Sequence, residues 1–322
     1  MDKTKLIRAV ELFNDNTVAV IGDIALDKYV YGKIERVNPE MHGAPLLKVD
    51  SIEFRLGCAA NVAANLSSLG ADTKLSGVIG NDDYGSKIQD LCGENTINSF
   101  FIRDGWSIVK ERYMDSDFNH YILRADYGES NLRAISEHCK REIYEFLRDV
   151  KINALILSDY NKRVFRAGFG EILIELANSK GIFVGVDPKP ANADSFRGAT
   201  LIRPNIKEAR EIIGDKVSDN KSIAKELFDS TRSKYVVITC GKHETICYDG
   251  NEFNEICTKV KEVSDVTGAG DTFCAAITLG MISGLNLIEA VHLANYAAGI
   301  VVEKPGTAVV SREELIDRIK DD

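Results

Sequence analysis

From about residue 131 onward, continuous apolar runs alternate with amphipathic ones, and few architectures satisfy both patterns at once. Ala154-Leu-Ile-Leu-Ser158, Ile182-Phe-Val-Gly-Val-Asp187, Thr200-Leu-Ile202 and Tyr235-Val-Val-Ile-Thr239 lack the polar alternation of a half-exposed strand, so both faces of each need cover. Ile135, Cys139, Ile143, Phe146, Leu147 and Val150 recur at helical spacing, and further helices are expected over 166–179, 205–213 and 219–231. Buried strands joined by one-sided helices specify an α/β fold, a mostly parallel sheet with helices on both faces.

The amino-terminal third fits the same plan with interruptions. Thr17-Val-Ala-Val-Ile-Gly22 reads as a buried strand opening into a loop at Asp23, and an Ala-rich helix is expected from Cys58 to Leu69, stopped by Gly70. Strand Thr73–Gly80 and a helix over 83–92 follow. Residues 28–55 and 98–127 instead alternate like exposed strands, with Ser107–Met114 and Asn119–Ala125 as a hairpin, so a small second sheet is expected there. A hairpin over 244–257 and helices over 269–284, 286–302 and 311–320 complete a single 322-residue α/β domain with a β appendage.

Charge and cysteine usage exclude several classes. Lys and Arg number 40 against 49 Asp and Glu, a net charge of −9, and they form no local basic stripe. Such a chain gains no non-specific pull toward nucleic acid or anionic lipid. No run approaches 18 apolar residues and the amino end has no signal-peptide core, so a cytoplasmic protein is expected. The seven cysteines are odd in number and include no CxxC, and the five histidines show no HExxH, which argues for reduced thiols and against a zinc site.

Chemistry concentrates in Glu262-Val-Ser-Asp-Val-Thr-Gly-Ala-Gly-Asp-Thr-Phe-Cys-Ala-Ala. Gly268-Ala269-Gly270 precedes an Ala-rich helix, so backbone N–H groups at a helix start could face an anion, with Asp271 in the first turn. A tight turn with an acid complementing the helix dipole would need only one acid, whereas Asp265 and Asp271 flank the glycines. Phe273 stands where a dinucleotide fingerprint needs its third glycine, and no GxxxxGK[ST] exists.

Asp265-Val-Thr-Gly-Ala-Gly-Asp271 resembles the carboxyl-terminal signature of the ribokinase/PfkB family of sugar kinases, and Leu56-Gly-Cys-Ala-Ala-Asn-Val-Ala-Ala-Asn65 resembles its amino-terminal signature. Within that family the chain is most similar to the heptose 7-phosphate kinases, through Gly22-Asp-Ile-Ala-Leu-Asp-Lys-Tyr-Val-Tyr-Gly32, Leu157-Ser-Asp-Tyr-Asn-Lys162, Val186-Asp-Pro-Lys189 and Pro204-Asn-Ile-Lys-Glu208. The resemblance implies a ribokinase-like fold whose small β-sheet acts as a lid, use of ATP and Mg²⁺ with K⁺ as a candidate, and a homodimer formed through the lid. The expected reaction is phosphorylation of D-glycero-D-manno-heptose 7-phosphate at O1. The nucleotidyltransferase half of the bifunctional heptose enzymes is not matched, so a separate protein is expected to supply that step.

The same resemblance implies the site. Asp271 would be the general base and Gly268, Ala269 and Gly270 the anion hole. Asn205, Ile206, Lys207 and Glu208 would help place Mg²⁺ and the phosphates, with Thr239, Gly241 and Asn295 on the nucleotide side. Asn205 and Glu208 also fit a helix capping box, as do Asn286 with Glu289 and Ser311 with Glu314, and for the first pair both roles can coexist. Asp23, Asp27, Gly57 and Asn61 would hold sugar hydroxyls, Lys110, Arg112, Arg124, Lys162 and Lys189 would meet an acceptor phosphate, and Asp265 and Thr267 a monovalent cation. Two departures fall on the acceptor side: Cys58 replaces the second glycine of the usual pair, and Val37–Pro45 differs from the heptose kinase pattern. A kinase of a hexose, pentose or nucleoside is the alternative substrate reading, and a non-catalytic sugar- or nucleotide-binding regulator the alternative class.

Overall fold

A computed structural model describes residues 2–41, 43–117, 120–130, 132–214, 217, 219–258 and 264–322. His42 in the expected turn, Asn119 in the expected hairpin, and Glu262 and Val263 at the head of the glycine segment lie outside the described residues. In chain order the strands begin with β1 (Thr17–Gly22), β2 (Ile24–Val37), β3 (Pro45–Cys58), β4 (Asp72–Ile79) and β5 (Asn98–Arg103). They continue with β6 (Ile108–Asp115), β7 (Tyr121–Tyr127), β8 (Ala154–Ser158) and β9 (Phe183–Asp187). The last four are β10 (Leu201–Ile202), β11 (Tyr235–Ile238), β12 (Thr245–Tyr248) and β13 (Phe253–Ile256).

Nine strands form one sheet in the order β13-β12-β11-β10-β9-β8-β1-β4-β5. Every pairing from β11 across to β5 is parallel, and the two remaining pairings, β11–β12 and β12–β13, are antiparallel at one edge. The strand sequence of β1 explains why both faces are covered: Val18 and Val20 belong to one apolar cluster, Ala19 and Ile21 to the other, and all four are fully buried. The first cluster is completed by helices Lys3–Glu11, Ala59–Ser68, Ala269–Ile282 and Leu287–Val302, the second by Glu137–Asp149, Phe169–Ser179 and Asn220–Thr231. Burying each large aliphatic side chain this way contributes about 1.5–3 kcal/mol. Helix Ala269–Ile282 is buried on every side from Asp271 to Gly280, which is why its sequence shows no polar stripe.

The chain leaves β1 toward β4 and β5 in one direction and toward β8–β11 in the other, so the crevice for ligands opens at the carboxyl ends of β1 and β8. The smaller sheet has the order β3-β2-β6-β7. Strand β2 starts one residue after β1, and β3 runs straight into helix Ala59–Ser68, so this sheet is rooted at the crevice.

Two elements depart from the sequence expectation. Strand β5 pairs with β4 at the edge of the large sheet instead of joining β6 and β7, because Phe101 and Ile102 find apolar neighbours there. Helix Lys3–Glu11 was not anticipated, although its determinants are present: the Asp2 side chain accepts from Thr4 and Lys5 N–H, and Leu6, Ala9 and Val10 fall on one buried stripe. The helix expected from Ile135 begins at Glu137, where the Ser136 hydroxyl accepts from Cys139 N–H.

Candidate active site

Helix Ala269–Ile282 begins at Gly268, whose φ of +81° is a left-handed value that favours glycine. A Cβ at this residue would lie 2.9 Å from Asn61 Nδ2, so glycine is needed for the fit as well as the turn. Asn61 Nδ2 donates to Asp271 Oδ2 at 2.7 Å, and Asn65 accepts from the Thr272 hydroxyl at 2.8 Å, tying the starts of two helices together. On its other oxygen Asp271 accepts from the Tyr160 hydroxyl at 2.6 Å. The first turn leaves backbone N–H groups without intrahelical acceptors, although the Ala269 N–H is shared with the Val266 carbonyl at 3.3 Å.

Asp271 is 5% exposed. Burial raises its pKa to about 6, against the pull of its Tyr160 and Asn61 hydrogen bonds. Burial and the neighbouring Asp271 charge push the Tyr160 hydroxyl well above its ordinary range, which keeps it a donor.

Two cavities meet at this point. The larger, about 780 Å³, is lined by Asn205, Glu208, Thr239, Gly241, Asn295 and the first turn Gly268–Asp271, among others. The smaller, about 470 Å³, is lined by Asp27, Cys58, Lys110, Arg112, Arg124 and Thr307, among others. Tyr160, Gly268 and Asp271 wall both. A group in one cavity can therefore react with a group in the other across Asp271.

On the larger side, Asn205 and Glu208 form a complete capping box and also line the cavity. Ile206 contributes its backbone, donating to the Thr239 carbonyl at 2.9 Å, while Lys207 N–H is held by Asn205. Asn286 with Glu289 and Ser311 with Glu314 are capping boxes that line neither cavity. Glu208 also pairs with Lys189, whose ammonium faces this larger cavity and not the smaller one. The Asn295 Oδ1 accepts from the Thr245 hydroxyl, and among the described residues its buried Nδ2 has no partner.

On the smaller side, Arg112 pairs with Asp27 at 2.7 Å, and a Cβ at Gly57 would meet the Asp27 carboxylate at 3.1 Å. Arg124 lines the cavity while paired with Asp126. Lys162 is paired with Glu129 and lines neither cavity, so the expected cation set divides into Lys110, Arg112 and Arg124 on one side and Lys189 on the other. Asp23 also lines neither: its two oxygens accept from the backbone N–H groups of Tyr160, Lys162, Arg163 and Val164, which shapes the turn after β8. Asp265 accepts from Thr267 and Gly306 N–H, bracing the loop that carries Thr267.

Cys58 has φ 55° and ψ −132°, a conformation costly for any side chain, and points its thiol at Lys110 Nζ 3.1 Å away. Burial holds that thiol protonated, with a pKa pushed up to about 12. Replacing Cys58 with Gly removes about 1–3 kcal/mol of strain and returns about 0.4–1 kcal/mol to the unfolded chain. A rise of about 1–3 °C in thermal midpoint is expected; a fall would show that the thiol contributes more than the strain.

Three residues of the junction have no role assigned from sequence. Tyr160 sits in a quoted motif but nothing marks its hydroxyl as a partner of Asp271, 111 residues away. Asp187, also in a quoted motif, and Arg203 are a buried ion pair at the ends of neighbouring strands β9 and β10, and nothing local marks them as partners.

Phosphofructokinase-2 from Escherichia coli, solved in complex with potassium, superposes with a TM-score of 0.80 at 17% identity, covering 95% of this chain and 98% of that one. Ribokinase from Thermotoga maritima gives 0.74 at 22% identity, over 95% and 99%. The fold is therefore ribokinase-like. The pfkB carbohydrate kinase family matches residues 15–314, and the chain belongs to that family of ATP-dependent carbohydrate kinases. The bifunctional protein HldE of Coxiella burnetii is 37% identical over 313 residues, covering 95% of this chain and 64% of that one. HldE of Proteus mirabilis is 35% identical over 315 residues, covering 96% and 65%. The chain spans just under two thirds of the length of these curated relatives.

Proposed function

We propose that this chain transfers the γ-phosphoryl group of ATP to O1 of D-glycero-D-manno-heptose 7-phosphate, giving the 1,7-bisphosphate and ADP. The observation that carries the reading is the placement of Asp271 on the wall shared by a cavity large enough for a nucleotide and a smaller one lined by Lys110, Arg112 and Arg124. Three cations around one small cavity suit an acceptor that already bears a phosphate. Relatives named bifunctional protein HldE, 35–37% identical, support the heptose assignment.

In this mechanism Asp271 takes the proton of the acceptor hydroxyl as its oxygen attacks the γ-phosphorus and the bond to the ADP oxygen breaks. The N–H groups of Gly268, Ala269 and Gly270 face the charge on the transferring group. Thr239, Gly241 and Asn295 hold the nucleotide, and the buried Asn295 Nδ2 supplies an unspent donor for it. The oxygen donors of Asn205 and Glu208 suit Mg²⁺, which when bound with ATP neutralises phosphate charge. Asp265 and Thr267 are the proposed neighbourhood of a potassium ion.

Asp27, with Gly57 packed beside it, is the sugar-hydroxyl contact; Asn61 acts through Asp271, and Asp23 and Lys162 shape the turn beneath. The smaller sheet is the lid of a single domain, closing to keep water from competing as acceptor. Ile34, Val49, Ile52, Tyr121, Leu123 and Tyr127 are exposed on it, which supports pairing of two lids in a homodimer. Among the described residues no helix is long and apolar enough to cross a membrane. The proposal includes a cytoplasmic setting and a separate nucleotidyltransferase downstream.

The test is ADP release from Mg²⁺-ATP with D-glycero-D-manno-heptose 7-phosphate, unphosphorylated heptose, fructose, ribose and adenosine. Turnover confined to the heptose phosphate is expected. Turnover on a neutral sugar or adenosine would keep the kinase and sink the heptose assignment, and ATP binding with no turnover would favour a regulator.

A further inference from the structure

Arg203 follows β10 at the floor of the larger cavity and is only 4% exposed. Its Nη2 pairs with the Asp187 carboxylate, and its Nη1 lies 3.5 Å from the Thr239 hydroxyl, at the limit of a hydrogen bond. Among the described residues its Nε is buried with no hydrogen-bond partner, and the Cys274 thiol lies against the same guanidinium. A guanidinium has five N–H donors in a fixed fork, and Asp187 uses one side of it. The plane also packs against the glycine turn: a Cβ at Gly270 would lie 3.3 Å from Nη2 and 3.5 Å from Nη1. A buried cation with unspent donors thus sits beside the helix start where the transferring phosphoryl group must pass.

We propose that Arg203 is a catalytic residue that contacts the terminal phosphate of the nucleotide and stabilises its charge in the transition state, with Asp187 as the residue that positions it. The proposal rests on the kinase reading of the same cleft. Arg supplies planar paired donors that suit a phosphate better than an ammonium does, and such contacts grow as charge shifts onto the phosphoryl oxygens. Gly270 is then needed partly for access, since any side chain there would press on the guanidinium.

Arg203→Gln alone would leave Asp187 as an unpaired buried acid, so the informative variant is Asp187→Asn with Arg203→Gln, which keeps a neutral hydrogen-bonded pair. Its folding is checked by circular dichroism and thermal unfolding. Relative to the parent, kcat is expected to fall about 10²–10³-fold, with Arg203→Lys recovering at least tenfold of that loss. Binding is measured in parallel by titrating Mg²⁺ with ADP or with the β,γ-imido analogue of ATP. The parent's preference for the analogue over ADP is expected to shrink about tenfold or more in the double variant, as the loss of charged hydrogen bonds to one phosphate requires. A folded double variant with kcat within threefold of the parent and an unchanged preference would overturn the proposal. If no acceptor in the panel is turned over, the substrate assignment fails by itself, and the analogue-to-ADP preference still decides the role of Arg203.

Discussion

Asp271→Asn is expected to lower kcat by about 10²–10⁴-fold while leaving the protein as stable as the parent, or more stable, at pH 7. The two halves of that expectation have one cause. Asp271 is buried with a pKa raised to about 6, so the folded state binds its proton more tightly than the unfolded chain does. An acid shifted upward removes stability as pH rises from its unfolded value near 4 through about 6, and the loss is complete above that. At pH 7 the ionised carboxylate therefore works against folding by an amount on the order of 2–3 kcal/mol. Asn is uncharged and can present its oxygen to Asn61 Nδ2 and its amide to the Tyr160 hydroxyl, which can turn to accept. The wild-type pH–rate profile should fall below about pH 6 as Asp271 becomes protonated, and Asp271→Asn should lack that limb. Rates across pH 5–8 with thermal melts of both proteins check this. A variant that melts well below the parent would mean the carboxylate is structural, and one that keeps most of its turnover would remove Asp271 from the proton transfer.

The features most legible in the sequence were those whose information is local. Strands β8, β9 and β11 declare themselves by unbroken apolar runs, and the helix starts at Asn205, Asn286 and Ser311 by a capping residue three positions before Glu. The place of Asp271 and its glycines at a helix start was legible because such a turn is built from consecutive residues. Contacts across the fold were not. Nothing local distinguishes Asp23, whose oxygens bind four backbone N–H groups after β8, from Asp27, which faces Arg112 in the smaller cavity. Lys162 and Lys189 each follow a core strand, yet one turns to Glu129 and the other to Glu208. The strand order decides such matters, and β5 shows how: its sequence suits either sheet, and its parallel pairing with β4 places it in the larger one.

Arg112→Leu should have the largest effect on stability among the acceptor-side residues, lowering the free energy of unfolding by about 3–5 kcal/mol. Arg112 and Asp27 are 6% and 5% exposed at their side chains and 2.7 Å apart, on adjacent strands β6 and β2. The pair closes a buried network in which Thr307 donates to Asp27 at 2.8 Å and its N–H to the Tyr29 hydroxyl at 3.0 Å, with the Arg112 guanidinium 5.2 Å from the Tyr29 ring centre. Removing the cation leaves a carboxylate facing a cavity wall with one hydroxyl donor, and that desolvated charge is what destabilises. Adding Asp27→Asn to Arg112→Leu should therefore restore most of the loss, because the charge goes with its partner. Urea unfolding of the two variants and the parent measures both steps, and amide exchange in β2 and β6 should quicken in the single variant before the large sheet is affected. A single variant within 1 kcal/mol of the parent would show that the pair is solvated in the free protein. An acceptor KM that rises in the double variant, with stability restored, would show that the Asp27–Arg112 pair serves acceptor binding apart from its part in holding the sheet.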